Sequence, residues 1–129
     1  MSFKLSIVTP KGIYKEVEVE ILNLVTTNGQ IGILAHHMPL ASGIEISEMS
    51  YVENGQRYTY AISGGFVYVG DIETTIIANA IESPEEIDLK RAEDAKKRAE
   101  GYLQNPDMDL KRAEVALKRA INRIHVKGN

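Results

Sequence analysis

Two hydrophobic periods divide the chain. Up to about residue 79 the chain reads as short runs, several of which alternate apolar with polar residues: FKLSIVTP, YKEVEVEILNLVTT, ASGIEISEMSYVE, QRYTYAIS, GFVYVG and ETTIIAN. They are rich in Val, Ile, Thr and Tyr, side chains that suit a pleated, half-buried surface. In KEVEVEI, Val17, Val19 and Ile21 fall on one face and Glu16, Glu18 and Glu20 on the other, the period of two expected of a strand. Pro10-Lys11-Gly12, Asn28-Gly29, Asn54-Gly55, Gly64-Gly65 and Gly70-Asp71 punctuate the runs as turns, and Asn54-Gly55 between two strand-like runs predicts a hairpin. Many short strands with no intervening helix predict an antiparallel β-sandwich or barrel, because each sheet must bury one apolar face against another.

After Ser83 the period changes. Ser83 with Pro84 and Glu86 forms a capping-box pattern, and Asp88 is a second candidate cap one turn later. A helix is predicted from there to about Leu103, with a narrow stripe at Ala92, Ala95, Ala99 and Leu103. Gly101, Asn105 and Pro106 are expected to break it, and Asp107 or Asp109 to cap a second helix whose stripe is Leu110, Ala113, Leu117, Ala120 and Ile124. Two amphipathic helices with alanine-rich stripes and a short break predict an antiparallel hairpin with closely approaching axes. The reading is therefore α+β, with a sandwich over residues 1–83 and a helical hairpin over 84–129. Each helix is near the length at which an isolated helix is marginal in water, and alanine buries little apolar area. A hairpin of this kind is suited to opening.

Composition narrows the chemistry. The 129 residues include no cysteine, which removes disulfides, thiolate metal sites and cysteine nucleophiles together. No stretch approaches the roughly 18 consecutive apolar residues of a membrane span, and MSFKLSIVTP lacks the apolar core of a signal peptide, so a cytosolic chain is expected. The net charge of −3 hides an asymmetry: residues 1–83 hold four basic side chains against nine acidic, whereas 84–129 hold eleven against nine. An anionic ligand is sought first in the second part.

His36 and His37, ahead of Pro39 in GQIGILAHHMPL, are adjacent, so they diverge on a strand and make a poor chelate; His125 is far along the chain. No metal site and no catalytic residue is expected, since no nucleophile elbow is present either. GQIGIL matches neither phosphate-loop pattern, and reads as a tight loop needing glycine dihedrals at Gly29 and Gly32. The arginines carry more. Arg91 and Arg98 share a helix face through a spacing of seven, as do Arg112, Arg119 and Arg123 through seven and four. In an antiparallel hairpin, Arg91 comes near Arg119 and Arg123. Gathered guanidiniums repel unless an anion lies among them, and their planar forks suit phosphate oxygens. The other reading of the same pattern is that Glu85, Glu86, Glu93, Asp94 and Glu114 neutralise them on a solvated surface. Interleaved carboxylates, an acidic chain and a single aromatic in this half, Tyr102, argue against nucleic acid.

TPKG near the start, GQIGILAHHMPL, SGGFVYV, IDLKRA and KRAEVALKRAINRI, in this order, resemble the epsilon subunit of F-type ATP synthases over essentially the whole chain. The resemblance implies an N-terminal sandwich of about ten antiparallel strands, a C-terminal two-helix hairpin, and a non-catalytic rotor subunit of the central stalk. It implies a gamma-subunit partner for the sandwich and a c-ring contact through Gly29, Gln30, Ile31, Gly32 and His37. Gln30 stands where family members often carry glutamate, so a hydrogen bond or shape fit would replace a charge there.

The family's hairpin permits ATP hydrolysis when folded and blocks it when extended into the alpha/beta catalytic head. Some bacterial members bind ATP on the folded hairpin through Ile/Leu-Asp-x-x-Arg-Ala, which Ile87, Asp88, Arg91 and Ala92 match; Glu82, Arg98, Arg119 and Arg123 also fall at contributing positions. No cofactor is required under this reading, ATP being a regulatory ligand. The implied location is the cytoplasmic side of the bacterial cell membrane, peripheral and without insertion. A free-standing ATP sensor and a basic hairpin module for nucleic acid are the competing classes. A complex-free pool with tight ATP binding would mark the former, and salt-sensitive DNA or RNA binding the latter.

Overall fold

The computed structural model describes residues 1–105, 107 and 109–128. Its elements are β1 (Phe3–Thr9), β2 (Gly12–Val19), β3 (Ile21–Thr26), β4 (Gly29–Leu34), β5 (Leu40–Glu53), β6 (Gln56–Val69), β7 (Glu73–Ala78), β8 (Ile81–Glu82), α1 (Leu89–Leu103) and α2 (Leu110–Gly128). The chain forms two compact units, Met1–Ile81 and Glu82–Asn129. Among the described residues no helix is long and apolar enough to cross a membrane.

In the first unit the strands run β2-β1-β7-β6-β5-β3-β4, with β8 beside β6. Three of the sequence runs are divided or joined differently from the expectation. YKEVEVEILNLVTT becomes two strands with a corner at Glu20, whose carboxylate accepts the Gly55 N–H at 3.1 Å. β2 therefore pairs β1 while β3 pairs β4 and β5. QRYTYAIS and GFVYVG join into the single strand β6, because Gly64 and Gly65 (φ +85° and +151°) take up an irregularity without ending the ladder with β5. Eight strands are thus counted among the described residues. Along this order the pairings are antiparallel save one: β1 lies parallel to β7. The whole intervening sheet serves as their connection, so the length a parallel pair requires is met.

Alternation sets the core. Leu5 and Ile7 of β1, Val19 of β2, Leu22 and Leu24 of β3, Ile33 of β4, Met49 and Tyr51 of β5, Ile62 and Val67 of β6 and Ile76 of β7 are buried together. Asn54-Gly55 forms the predicted hairpin, both residues at positive φ (52° and 78°), as a type I′ turn requires.

Tyr51 and Tyr60 share a buried hydroxyl–hydroxyl bond of 2.8 Å beneath stacked rings. Burial first, then the Tyr60 bond, push the Tyr51 hydroxyl far above the ordinary tyrosine range. A hydroxyl that keeps its proton when folded but releases it near pH ~10 when unfolded stabilises the fold fully below that pH and loses this contribution as pH rises. The sandwich should therefore lose stability above about pH 10, with a slope of up to about 1.4 kcal/mol per pH unit from this group. Denaturant unfolding at several alkaline pH values checks it; Tyr51→Phe should flatten the decline.

In the second unit, the Ser83 box forms as spaced: Ser83 N–H donates to Glu86 Oε1 at 2.9 Å and Glu86 N–H to Ser83 Oγ at 3.3 Å. It closes a separate turn, not the helix expected to follow directly. Asp88 is extended (φ −88°, ψ 104°) and caps α1 by accepting from Arg91 N–H, so the helix proper starts at Leu89. Gly101 lies inside α1 and does not break it; its carbonyl accepts from Gln104 N–H at the cap. Pro106 lies outside the described residues. Asp109 caps α2 through Arg112 N–H at 3.1 Å. The helices pack through Ala92 and Ala99 on α1 and Ala113 and Ala120 on α2, all buried. Small side chains a heptad apart let the axes approach. Leu110, expected in the α2 stripe, is about half exposed (48%).

Candidate functional site

A cleft of about 350 Å³ in the second unit is lined by Glu82, Glu86, Asp88, Arg91, Ala92, Ala95, Arg98 and Arg123. Helical periodicity builds one wall, because residues 88, 91, 92, 95 and 98 follow one another at spacings of three, one, three and three along a single face. Ala92 and Ala95 keep that face low, leaving room for a planar group between the longer side chains. The second helix contributes Arg123, and the segment before α1 contributes Glu82 and Glu86.

Charge in the cleft is unevenly satisfied. Arg123 Nε donates to Glu82 Oε1, with both side chains about 30% exposed (29% and 31%). Arg91 and Arg98 make no ion pair among the described residues, and neither do Glu85, Glu93, Asp94 and Glu114. Of the carboxylates expected to neutralise the arginines, these four therefore form no contact ion pair with Arg91 or Arg98 among the described residues, while Glu86 lines the cleft beside them. A cleft with two guanidiniums that make no ion pair among the described residues, a third held by one carboxylate, and Glu86 and Asp88 also in its lining can hold an anion together with a hydrogen-bond-donating ring.

Of the residues singled out from sequence, the cleft brings together Glu82, Asp88, Arg91, Ala92, Arg98 and Arg123. Ile87 is buried and does not line it, and Arg119 is exposed outside it. Arg119 precedes Arg123 by four residues, about 6 Å of helix rise. Glu86 and Ala95 line the cleft as well. Both stood out in the sequence for other reasons, one as a cap and one as an interhelix residue.

The segment GQIGILAHHMPL corrects the expectation of a loop. Gly29–Leu34 is strand β4, at the end of the strand order, paired only with β3. Gly29 has φ +116° as foreseen, but Gly32 has no positive φ: it sits within the strand opposite Asn23. The strand alternates Ile31 and Ile33 inward, so its backbone follows the pleat. Only residues 35–39 turn, with His36 at φ +65°, His37 N–H donating to Leu34 O at 3.2 Å and His37 Nδ1 to Met38 O at 2.6 Å. Gln30, Ile31 and Gly32 edge a second, more open cleft of about 380 Å³ with Asn23, Ser50, Glu48 and Arg57; His37 is not part of it.

A third surface was not singled out from sequence. The register aligns Ile13 on β2, Val8 on β1, Ile77 on β7, Phe66 on β6 and Gly43 on β5 as one outward row. Tyr68 lies beside it with its ring 4.9 Å from Phe66. Ile13, Ile77, Phe66 and Tyr68 are 65%, 47%, 37% and 50% exposed. The signal was present in GFVYVG, where both alternating faces are apolar. Which of the two faces was outward depended on the sheet. Exposed apolar side chains aligned in this way are the kind of surface that suits a protein partner.

Comparison with known proteins places these features in context. The family model described as ATP synthase, Delta/Epsilon chain, beta-sandwich domain matches residues 2–84, and that of the Delta/Epsilon chain long alpha-helix domain matches 85–128. An ATP synthase epsilon chain of Bacillus pumilus is 40% identical over 126 residues, covering 97% of this chain and 96% of its own. One of Desulfitobacterium hafniense is 46% identical over 102 residues, covering 79% and 77%. Among solved structures, a chain of the Euglena gracilis mitochondrial ATP synthase, in a cryo-EM structure of its OSCP/F1/c-ring, superposes with a TM-score of 0.82 at 26% identity, over 94% of this chain and 78% of that one.

Proposed function

The chain belongs to the ATP synthase delta/epsilon family as an epsilon subunit, not itself an enzyme, and on that premise we propose that it is a central-stalk rotor whose folded hairpin binds ATP and whose extended hairpin inhibits ATP hydrolysis. The sandwich docks on the gamma subunit through the Ile13–Val8–Ile77–Phe66 row and Tyr68. The β4 edge and the following turn, with Gly29, Gln30, Ile31, Gly32 and His37, meet the c-ring, where Gln30 offers a neutral hydrogen-bonding amide. The complex sits peripherally on the cytoplasmic face of the bacterial membrane.

The observation that carries the nucleotide reading is that Arg91 and Arg98, which make no ion pair among the described residues, line one cleft together with Arg123, Ala92 and Ala95. Phosphate oxygens take the arginines, the base lies over Ala92 and Ala95, and the carboxylates of Asp88 and Glu82 accept from its amino and ribose groups. Ile87 supports the site from beneath through burial, and Arg119, one turn away, adds positive potential without contact. A hairpin packed on alanine gains little from its own seam. A ligand bound only to the folded form adds RT ln(1 + [L]/Kd), about 2.7 kcal/mol at a hundredfold excess over Kd. That is sufficient to decide the state of a marginal element. Abundant ATP thus holds the hairpin down, and scarcity releases it toward the alpha/beta head.

Calorimetric titration of the full chain with ATP tests the site. Arg91→Ala, which removes a charge-assisted bond worth about 1.5–3 kcal/mol, should weaken binding by about tenfold or more. Equal heats for the two chains would sink the nucleotide reading. ATP hydrolysis by the assembled head, with the full chain and with a truncation after Ser83, tests inhibition: the truncated complex should hydrolyse faster, and equal rates would leave the rotor role alone standing.

A further inference from the structure

We propose that Glu82 is an internal anion of the hairpin cleft, which occupies Arg123 while the site is empty and yields it to a polyphosphate when one binds. The inference rests on the nucleotide reading of the cleft and concerns how that site is regulated. Three guanidiniums face the cleft, but they are not equivalent. Arg91 and Arg98 are unengaged among the described residues, whereas Arg123 is held through Nε by Glu82. With both partners only about 30% exposed (29% and 31%), solvent screens this pair less than an ordinary surface pair. A third guanidinium left free beside two others would be repelled by them. Glu82 removes that repulsion without a ligand.

The segment carrying Glu82 is itself held. The reciprocal Ser83–Glu86 bonds fix the turn that follows, and Lys127 Nζ donates to Pro84 O at 2.7 Å. Arg123 and Lys127, one turn apart on α2, thus tie its last two turns to residues 82–84 by one ionic and one neutral acceptor. The consequence is graded. A small anion can settle on Arg91 and Arg98 at no cost to the tie, but a chain of phosphates long enough to reach Arg123 must exchange a carboxylate for a phosphate oxygen. The empty hairpin therefore keeps part of its stability without a ligand, though not enough to hold it folded when ATP is scarce, and a bound polyphosphate gains only the difference between two anionic partners at Arg123.

Inorganic triphosphate isolates this exchange, since it lacks the base and ribose that Glu82 could also contact. Titrated calorimetrically into the full chain, it should bind Glu82→Gln about three- to tenfold more tightly than the parent, by release of the competing carboxylate. The double variant Glu82→Gln/Arg123→Gln should lose that gain. An unchanged or weaker affinity for triphosphate in Glu82→Gln, with ATP uptake by the parent intact, overturns the internal anion alone; so does a gain that persists without Arg123. Uptake of neither ligand by either chain overturns the nucleotide reading and the exchange together. The tie has a ligand-free readout too: amide hydrogen exchange over residues 120–127 should quicken in Glu82→Gln, and no more in the double variant. Unaltered exchange overturns the tie.

Discussion

Gly65→Ala should cost the sandwich at least about 3 kcal/mol of unfolding free energy, among the larger losses a single methyl group can cause. A Cβ built at this position falls 2.2 Å from Ile77 O and 3.0 Å from Ala78 Cα, and φ is +151°. These neighbours are backbone atoms of β7, paired with Gly65 through Ala78, so relief requires moving a strand. Gly64→Ala next to it is the control. Its φ of +85° is also unfavourable to alanine, but the nearest atoms are Asn79 Nδ2 at 3.3 Å and Ile44 O at 3.4 Å, and about 1 kcal/mol is expected. Thermal unfolding followed by the near-ultraviolet signal of the tyrosine cluster should show a drop of about 10 °C or more for Gly65→Ala and a few degrees for Gly64→Ala. Equal drops would mean that the close approach of β6 and β7 is not what selects glycine.

The second large effect concerns assembly. Phe66→Asp with Ile77→Asp should weaken binding to the gamma subunit by roughly a thousandfold or more, since two buried apolar contacts are lost and two carboxylates lose water. The isolated chain should fold normally, because both side chains point outward from the sheet and are 37% and 47% exposed. Pull-down or surface-binding measurements with purified gamma, alongside circular dichroism of the variant, check both halves. Undiminished binding by a folded variant would move the gamma contact to another face. Gln30→Ala serves as the contrasting substitution: it lies on the β4 edge and should leave the gamma affinity unaltered.

Local patterning carried much of this structure into view. The alternation from Lys15 to Val19 and the β-branched composition of ETTIIAN mark strands, Asn54-Gly55 marks its hairpin, and Ser83-Pro84-Glu86 forms the reciprocal bonds that its spacing implies. Such features depend on residues a few positions apart, whose geometry the backbone itself dictates. The shared face of Arg91 and Arg98 was legible for the same reason, whereas Ala92 and Ala95, read as interhelix residues, also line the cleft beside them. Where sequence reasoning parted from the structure, distance along the chain was the cause. Glu82 and Arg123 are 41 residues apart, and no local period links them. Arg119 lies one turn before Arg123 on α2, yet it does not line the cleft. GQIGIL has the glycines of a loop, but pairing with β3 extends it into a strand.

By itself, the order of residues determined that this chain has a strand-rich first part and a two-helix second part, that cysteine chemistry is absent, and that arginines gather in the helices at spacings fit for an anion. These follow from composition and from periods of two and 3.6, which need no partner in space. Only the tertiary structure decided that β1 and β7 run parallel, that the apolar row of Ile13, Val8, Ile77 and Phe66 faces outward across four strands, and that Glu82 holds Arg123 while Arg91 and Arg98 make no ion pair among the described residues. Each depends on which distant segments the packing of the core brings side by side, and burial of apolar area, being non-directional, leaves no mark of that choice in any one segment.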